Sequence, residues 1–552
     1  MAEPSAKLSS ADCDNASLSS NGMKHTESNN FQIEEKVFPA PSFCEKWSGI
    51  LSVISCGFFL VTLLFLAGVI ILGSNSKTSK SSIKLTELTF SKHVVLSPDK
   101  TCSRLGTSTL EGGANAVEAA IAVQLCLGVR IPHRAGLMAG NVALVFQSGD
   151  DLSFYDGWFM SRYNQISNRS SNRLAEVTLP GELYSLRKMC NDHCKKYKNR
   201  FTDIIKLALE GSGDSIPVTS DLQTFLSTCS QNILPLHKER LNRKPYRKLL
   251  QKLVKGKYKR FYSFDFPDVW SFKNASDPIF VSLDFSNYKG KVFTETMHLG
   301  QYSKYRHTEI LTGSFPTKSL ALHYNSQLNF LLQSNKKFQG YTDMHKWSFS
   351  LYKTKQFTEQ FGMNGFVSRM KLKKFAFSKE YIYNLTNEIK IFKSEKTRDK
   401  SDNDIQNVYV SVIDKNGLGA NILSTNAKHH SCFYRPRVGI FFNDGVKHFA
   451  DTTCQESHIP NCATNHLKPI CSLIPVVLRP PSKSNDYHMI TTIGSDQIGA
   501  ISYLLMQSSL ESKNYYQTDG NSAKSHLLTR FDSGRITVNI DERDATVAVE
   551  GT

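Results

Sequence analysis

The chain has no glycine-rich phosphate loop. Neither a Walker-type motif nor GxGxxG occurs in its 552 residues, so nucleotide binding has no basis in the sequence. No cofactor and no metal are expected. His429 and His430 stand beside Cys432, but no carboxylate or second cysteine sits at ligand spacing, and Cys190-x3-Cys194 with His193 reads as disulfide chemistry rather than a metal site. Acidic residues are scarce relative to basic ones, 49 against 67, giving a net charge of +18. The deficit is uneven. Residues 1–46 hold four Lys and seven Asp/Glu, about −3, so the remainder carries about +21 by difference. That excess attracts anionic surfaces without specifying fold or chemistry, and no nucleic-acid partner is expected. A composition of 40% hydrophobic and 21% charged residues is that of a globular protein.

Charge is absent altogether from residues 50–73, ILSVISCGFFLVTLLFLAGVIILG, a run long enough to cross the hydrocarbon core as a helix. It begins too deep in the chain for a cleaved signal peptide, which predicts a signal anchor over residues 47–73. Lysines on its two sides do not decide orientation. Sequons at Asn168, Asn274 and Asn384 follow the span, against Asn15 before it, and nine of twelve cysteines lie beyond it. The reading is a single-pass type II membrane protein with a lumenal or extracellular ectodomain. Residues 1–46 form a disordered cytosolic tail, 74–90 a stalk and 91–552 the ectodomain.

From Val94 the ectodomain becomes distinctive. Gly112-Gly113 ends one short helix, Asn115 caps an Ala-rich second one, and Glu118 sits at the capping-box position. Cys102 and Cys126 flank this pair, where a disulfide would staple it. The pairing of Cys190, Cys194, Cys229, Cys432, Cys454, Cys462 and Cys471 stays open. Farther on, NVYVSVIDKNGLGANILST from Asn407 to Thr425 reads as a strand, a turn and a second strand.

The block Cys102-Ser103, GGANAVEAAIA from Gly112 to Ala122, then Cys126 resembles the γ-glutamyltransferases, or glutathione hydrolases, of the N-terminal-nucleophile superfamily. His133 with Gly136, Leu179-Pro180-Gly181-Glu182, Ile205 to Ala208, Ile216-Pro217-Val218, Gly439 to Asn443 and Cys471 extend the likeness to about Asn539. The resemblance implies an α/β fold, a four-layer αββα sandwich, with large-subunit-like residues 91–406 and small-subunit-like residues 407–552. It also implies self-cleavage before a threonine that then transfers γ-glutamyl groups. A side-chain oxygen beside a base is the least such chemistry requires.

This chain departs from the pattern at the reacting positions. Ser411-Val412 and Ser424-Thr425 fix the register of the family's Thr-x-His-x-Ser-Val motif, which places Asn407 at the nucleophile and Tyr409 at the histidine. An amide nitrogen is no nucleophile at neutral pH. The arginine that grips the substrate carboxylate falls near Gly157. The acidic pair that receives the ammonium becomes Lys447-His448, a repulsive exchange. The Ser-Ser pair becomes Lys468-Pro469, and the oxyanion-hole Gly-Gly becomes Gly494-Ser495, where a backbone N–H still suffices. The loop at Gly136 reads GLMAG, with less flexibility.

Two functional readings follow. One is a membrane-anchored homologue that is uncleaved and inactive, kept for binding or regulation. The alternative is an active enzyme on glutathione and other γ-glutamyl compounds, with Ser424 or Thr425 as a relocated nucleophile. The family's closing strands are expected to be incomplete after ITVNIDERDA, leaving an exposed edge or one covered by another segment. Lastly, Lys238–Arg260 carries eleven Lys/Arg against Glu239, with Leu249, Leu250, Leu253 and Val254 as an apolar helical stripe. It reads as a solvated helix face or as a site for sulfated glycans or anionic lipid, with Arg243, Lys244, Arg247 and Lys248 as its cations.

Overall fold

The computed structural model describes residues 85–147, 152–162, 176–195, 200–227, 229, 236–237, 239–262, 266–270, 292–293, 309–313, 318–361, 378–393, 407–426, 433–449, 466–479, 485–494, 497–506 and 523–552. The tail, the membrane span and most of the stalk lie outside this set, as do Asn168, Asn274, Ser495, Lys238, His429, His430, Cys432, Cys454 and Cys462. Among the described residues no helix is long and apolar enough to cross a membrane.

Two antiparallel sheets face each other. The first runs β18 (Ala548–Gly551), β2 (Val94–Ser97), β10 (Val408–Ile413), β11 (Leu418–Thr425), β3 (Gly140–Gln147), β4 (Ser153–Gly157) and β8 (Val292–Phe293) in spatial order. The second runs β1 (Leu85–Phe90), β17 (Ile536–Asp541), β16 (Lys524–Arg530), β15 (Tyr487–Ile493), β14 (Val476–Arg479) and β9 (Glu309–Thr312). Small ribbons add β5 (Ser215–Pro217) with β7 (Arg240–Asn242) and β6 (Leu236–His237), and β12 (Tyr434–Arg435) with β13 (Ile440–Phe441).

Helices cover both outer faces. On the first sheet lie α1 (Lys100–Glu111), α2 (Ala116–Arg130), α3 (Glu182–His193), α4 (Arg200–Ser212) and α6 (Lys244–Val254), with α5 (Ser220–Ser227) beside them. Against the second pack α7 (Ser319–Ser334) and α10 (Gln497–Met506), while α8 (Asp343–Phe361) and α9 (Lys379–Ile391) close a further apolar cluster with α7. This is the expected αββα order of layers.

Strand β10 shows why the sequence makes a sandwich. Val408, Val410 and Val412 belong to the cluster under the helices, whereas Tyr409 and Ile413 belong to the cluster between the sheets. Both faces of the strand are therefore apolar, which only a covered strand allows. The turn after it forms as its residues dictate. Asp414 Oδ1 accepts from the N–H groups of Asn416 and Leu418, and Gly417 takes a φ of +80°. Asn115 and Glu118 make the complete capping box, and the Cys102–Cys126 disulfide joins α1 to α2.

Of the two outcomes left open for the closing strands, an exposed edge or one covered by another segment, β2 shows the second: β18 pairs antiparallel with it from Ala548↔Ser97 to Gly551↔Val94. A four-residue strand with no alternating apolar pattern gives no sequence signal; ladder hydrogen bonds to β2 hold it, with Val549 and the preceding Val547 packed against the cluster between the sheets.

Candidate functional site

Asn407 sits at the entrance to β10, 2% exposed. Its carboxamide is engaged at both ends: Nδ2 donates to the Thr492 carbonyl at 3.0 Å, and Oδ1 accepts from the Gly494 N–H at 3.0 Å. Gly494, at φ +102°, ends the β15 side of the opposite sheet. The two positions that the register assigned to nucleophile and oxyanion hole are thus brought together. The Gly494 amide is retained as expected, but its hydrogen is given to Asn407. A carboxamide carries a donor and an acceptor, so it can bridge a carbonyl and an N–H simultaneously. Nearby, Ser411 Oγ meets Thr491 Oγ1, and Asn421 Nδ2 donates to the Ile490 carbonyl at 3.0 Å. The row stitches sheet to sheet.

Tyr409, at the histidine position, is wholly buried and donates its hydroxyl to Asp544 Oδ2 at 2.7 Å. Asp544 also accepts from His526 Nε2 at 3.1 Å and from the Thr546 hydroxyl at 2.6 Å. The Asp541 N–H donates to His526 Nδ1, which leaves Nε2 as the donor toward Asp544. Although burial opposes it, these bonds hold the Asp544 carboxyl well below the usual carboxylate range, and burial beside Asp544 pushes the Tyr409 phenol up. This network locks β10 to the segment before β18.

The substrate-clamp positions also converge, but not as a clamp. Across the first sheet, Val408 pairs with Ser424, Ser424 with Asn141 and Asn141 with Gly157. At about 4.8 Å per strand this puts Gly157 roughly 14 Å from the head of β10. A Cβ at Gly157 would lie 2.1 Å from Asn141 Oδ1 and 2.6 Å from the Ser185 side chain, so no arginine fits there. The adjoining Asp156 is buried. Its Oδ2 takes Lys468 Nζ at 2.7 Å and its Oδ1 accepts from the Trp158 N–H. Pro469 is buried in the same strap, which is held to Ser161 by bonds to both backbone groups of Leu467.

Lys447 pairs with Glu176 at 2.9 Å and lies 3.7 Å from Asp444. His448 packs edge-on to Trp158, with centroids 5.0 Å apart, and beside Phe159 at 5.4 Å. Lys447 and Lys468 each pair with a carboxylate of this chain, and His448 packs against the buried rings of Trp158 and Phe159.

Ser424 and Thr425 are fully buried. Ser424 donates to Glu182 Oε2 at 3.0 Å, and Gln124 Nε2 donates to Glu182 Oε1 at 2.5 Å. Burial pushes the Glu182 carboxyl up to about 7. A raised folded-state value means that the folded chain holds the extra proton between the ordinary carboxyl pKa and about 7. Stability from this group is complete below the unfolded value, about 4.5, and is lost as pH rises through about 7. Melting temperature should decline over that window, and Glu182→Gln should flatten the decline. An unchanged slope in the variant contradicts this assignment.

The basic run divides in two. Arg243 is wholly buried and donates to the carbonyls of Val129, Gly128 and Gly439 at 3.0, 2.9 and 2.7 Å, lying over the Tyr246 ring. Arg247 pairs with Asp214 at 2.7 Å. These two are structural, which corrects their assignment as ligand-facing cations. Lys244 and Lys248 are exposed. The GLMAG loop is tied down as well, since the Leu137 N–H donates to the Tyr246 hydroxyl. Cys190 and Cys194 form a disulfide, Cys229 is disulfide-bonded, and Cys471 is free and buried. Asn384 lies exposed on α9. Among the described residues no cluster could hold a metal ion.

Asp156, Trp158, Glu176, Thr492, His526 and Asp544 were not singled out from the sequence. None belongs to a local motif, and the contacts that draw the site together cross long stretches of chain, as with Asp156 and Lys468, 312 positions apart.

The family model for gamma-glutamyltranspeptidase matches residues 102–518. Glutathione hydrolase proenzyme 2 of Schizosaccharomyces pombe is 26% identical over 391 residues, 63% of this chain and 61% of that one. Glutathione hydrolase 2 of Arabidopsis thaliana is 30% identical over 125 residues, 21% and 22% of the two chains, and glutathione hydrolase 6 of Rattus norvegicus is 44% identical over 59, 11% and 12%. The chain thus spans about three fifths of the first of these relatives and far less of the others. Among solved structures, a cephalosporin acylase from Bacillus halodurans superposes with a TM-score of 0.65 at 14% identity, over 85% of this chain and 97% of that one, which shows a shared fold.

Proposed function

The chain belongs to the gamma-glutamyltranspeptidase family, and from that premise we propose that it is an uncleaved, catalytically silent member with a binding or regulatory role. The observation that carries this reading is the Asn407 carboxamide closed onto Gly494 and Thr492. Where the chemistry needs a hydroxyl and a free N–H donor, this chain offers an amide that already holds the donor. Gly157, Lys468 and Lys447 support the same conclusion, because each seat expected for substrate is occupied by the chain's own atoms.

The alternative, an active enzyme on glutathione or another γ-glutamyl compound, needs a replacement nucleophile. Ser424 and Thr425 are buried without exposure, and no observation favours it. For the address, we read the uncharged run at residues 50–73 as a signal anchor. Two disulfides and the exposed sequon asparagine Asn384 support an oxidising, glycosylating compartment for the ectodomain.

The test is Asn407→Thr, assayed on a γ-glutamyl anilide. It should give no turnover, because the nucleophile returns without a carboxylate clamp. Recovered chain cleavage without turnover fits the reading. Full turnover contradicts it.

A further inference from the structure

We propose that the outer face of α6 is a docking surface for a sulfated glycan. Lys244, Lys248, Lys252 and Lys255 follow one another at steps of four, four and three, which keeps them within one helical face. All four are exposed. At about 1.5 Å per residue the row extends roughly 16 Å, and exposed Lys257 prolongs it. A straight line of ammonium groups matches a linear chain bearing anions at intervals, and lysine serves such a partner as a point charge.

Acidic groups do little to cancel the row. Asp214 is taken by Arg247, and Asp268 is shared by Lys252 at 2.9 Å and Arg437 at 3.3 Å. Lys244, Lys248, Lys255 and Lys257 make no ion pair among the described residues. The helix belongs to the part of the chain that carries the excess of about +21.

Burial decides between glycan and membrane. A helix that lies on lipid needs an exposed apolar face. On α6 the apolar stripe is turned inward, with Tyr246, Leu249, Leu250 and Leu253 all in the core. What remains outside is charge. Nucleic acid is disfavoured on similar grounds, since Tyr246 is buried and offers no ring for a base to stack on. The choice of glycan also rests on the proposed lumenal address, where sulfated glycans are met.

The test uses the full chain in detergent on immobilised heparin, with desulfated heparin beside it. The triple variant Lys244→Gln, Lys248→Gln, Lys255→Gln removes three unpaired surface cations and should leave folding intact. Expected results are binding to heparin, little to the desulfated form, and at least tenfold weaker binding by the triple variant. The slope of log affinity against log salt should also become shallower by about two to three, one counterion per lost contact. A control at exposed Lys336, Lys337 and Lys379, each to Gln, should change affinity by less than a factor of about two. Equal losses in both variants, or no heparin binding, overturn the proposal. So does release from the column by phosphatidylserine mixed micelles as effectively as by soluble heparin, which would assign the row to lipid. Any of these failures leaves the cleavage and turnover assays unaffected, and failure of the address is read separately, as absence of N-linked glycan.

Discussion

Lys468→Ala should destabilise the fold by about 3–5 kcal/mol, because it leaves the Asp156 carboxylate buried without its cation. Asp156 is 3% exposed, and among the described residues its side chain then keeps only the Trp158 N–H as a donor. The pair itself carries less than that figure suggests, since removing both charges also removes the cost of burying them. The double variant Asp156→Asn with Lys468→Met should therefore recover most of the loss: the Asn oxygen still accepts from Trp158, and the Met stem fills the channel. Urea-melt midpoints of the parent, Lys468→Ala and the double variant measure the loss and its recovery. At the surface pair Lys206–Asp203, 52% and 42% exposed, the same truncation of the lysine should cost less than about 1 kcal/mol. If Lys468→Ala is as mild as Lys206→Ala, the strap over Asp156 is not held by a buried ion pair.

Arg243→Met, at the residue that caps the start of α6, should be the most damaging single change in the basic run. Its guanidinium satisfies three carbonyls, two of them in the last turn of α2, where helix carbonyls have no partners of their own. Orphaning a buried acceptor costs about 1–3 kcal/mol, so the sum reaches the order of a domain's whole stability. The expected outcome is loss of soluble, folded chain. Arg243→Lys restores the charge but not the fork, and should remain clearly less stable than the parent. Lys244→Met, one residue along and exposed, should shift stability by no more than about 0.5 kcal/mol. Equal behaviour at 243 and 244 would mean that the whole run is a solvated face.

These two residues mark where sequence reading stops. The alternation of Val408, Tyr409, Val410, Ser411, Val412 and Ile413 carries its own answer, because period two with both faces apolar describes a strand between two layers. The capping box at Asn115 and the turn at Asp414-Lys415-Asn416-Gly417 are equally legible, since local hydrogen-bond geometry fixes them. Arg243 is different. Eleven cations in 23 residues predict a wet surface, and nothing local says that this one faces three carbonyls. The candidate site was legible as departures at Asn407, Gly157, Lys447, Lys468 and Ser495 from the pattern that the resemblance implies. It was not legible as a set of replacements. Asp156 meets Lys468, and Tyr409 meets Asp544, across more than a hundred residues, so only the folded chain shows what these side chains touch.

The occupied seats make a single prediction about the chain as a covalent object. Denaturing electrophoresis of the purified protein, after removal of N-linked glycans, should show one uncut polypeptide. Two fragments meeting at residue 407 would mean that this chain still processes itself, and would contradict the account at its centre.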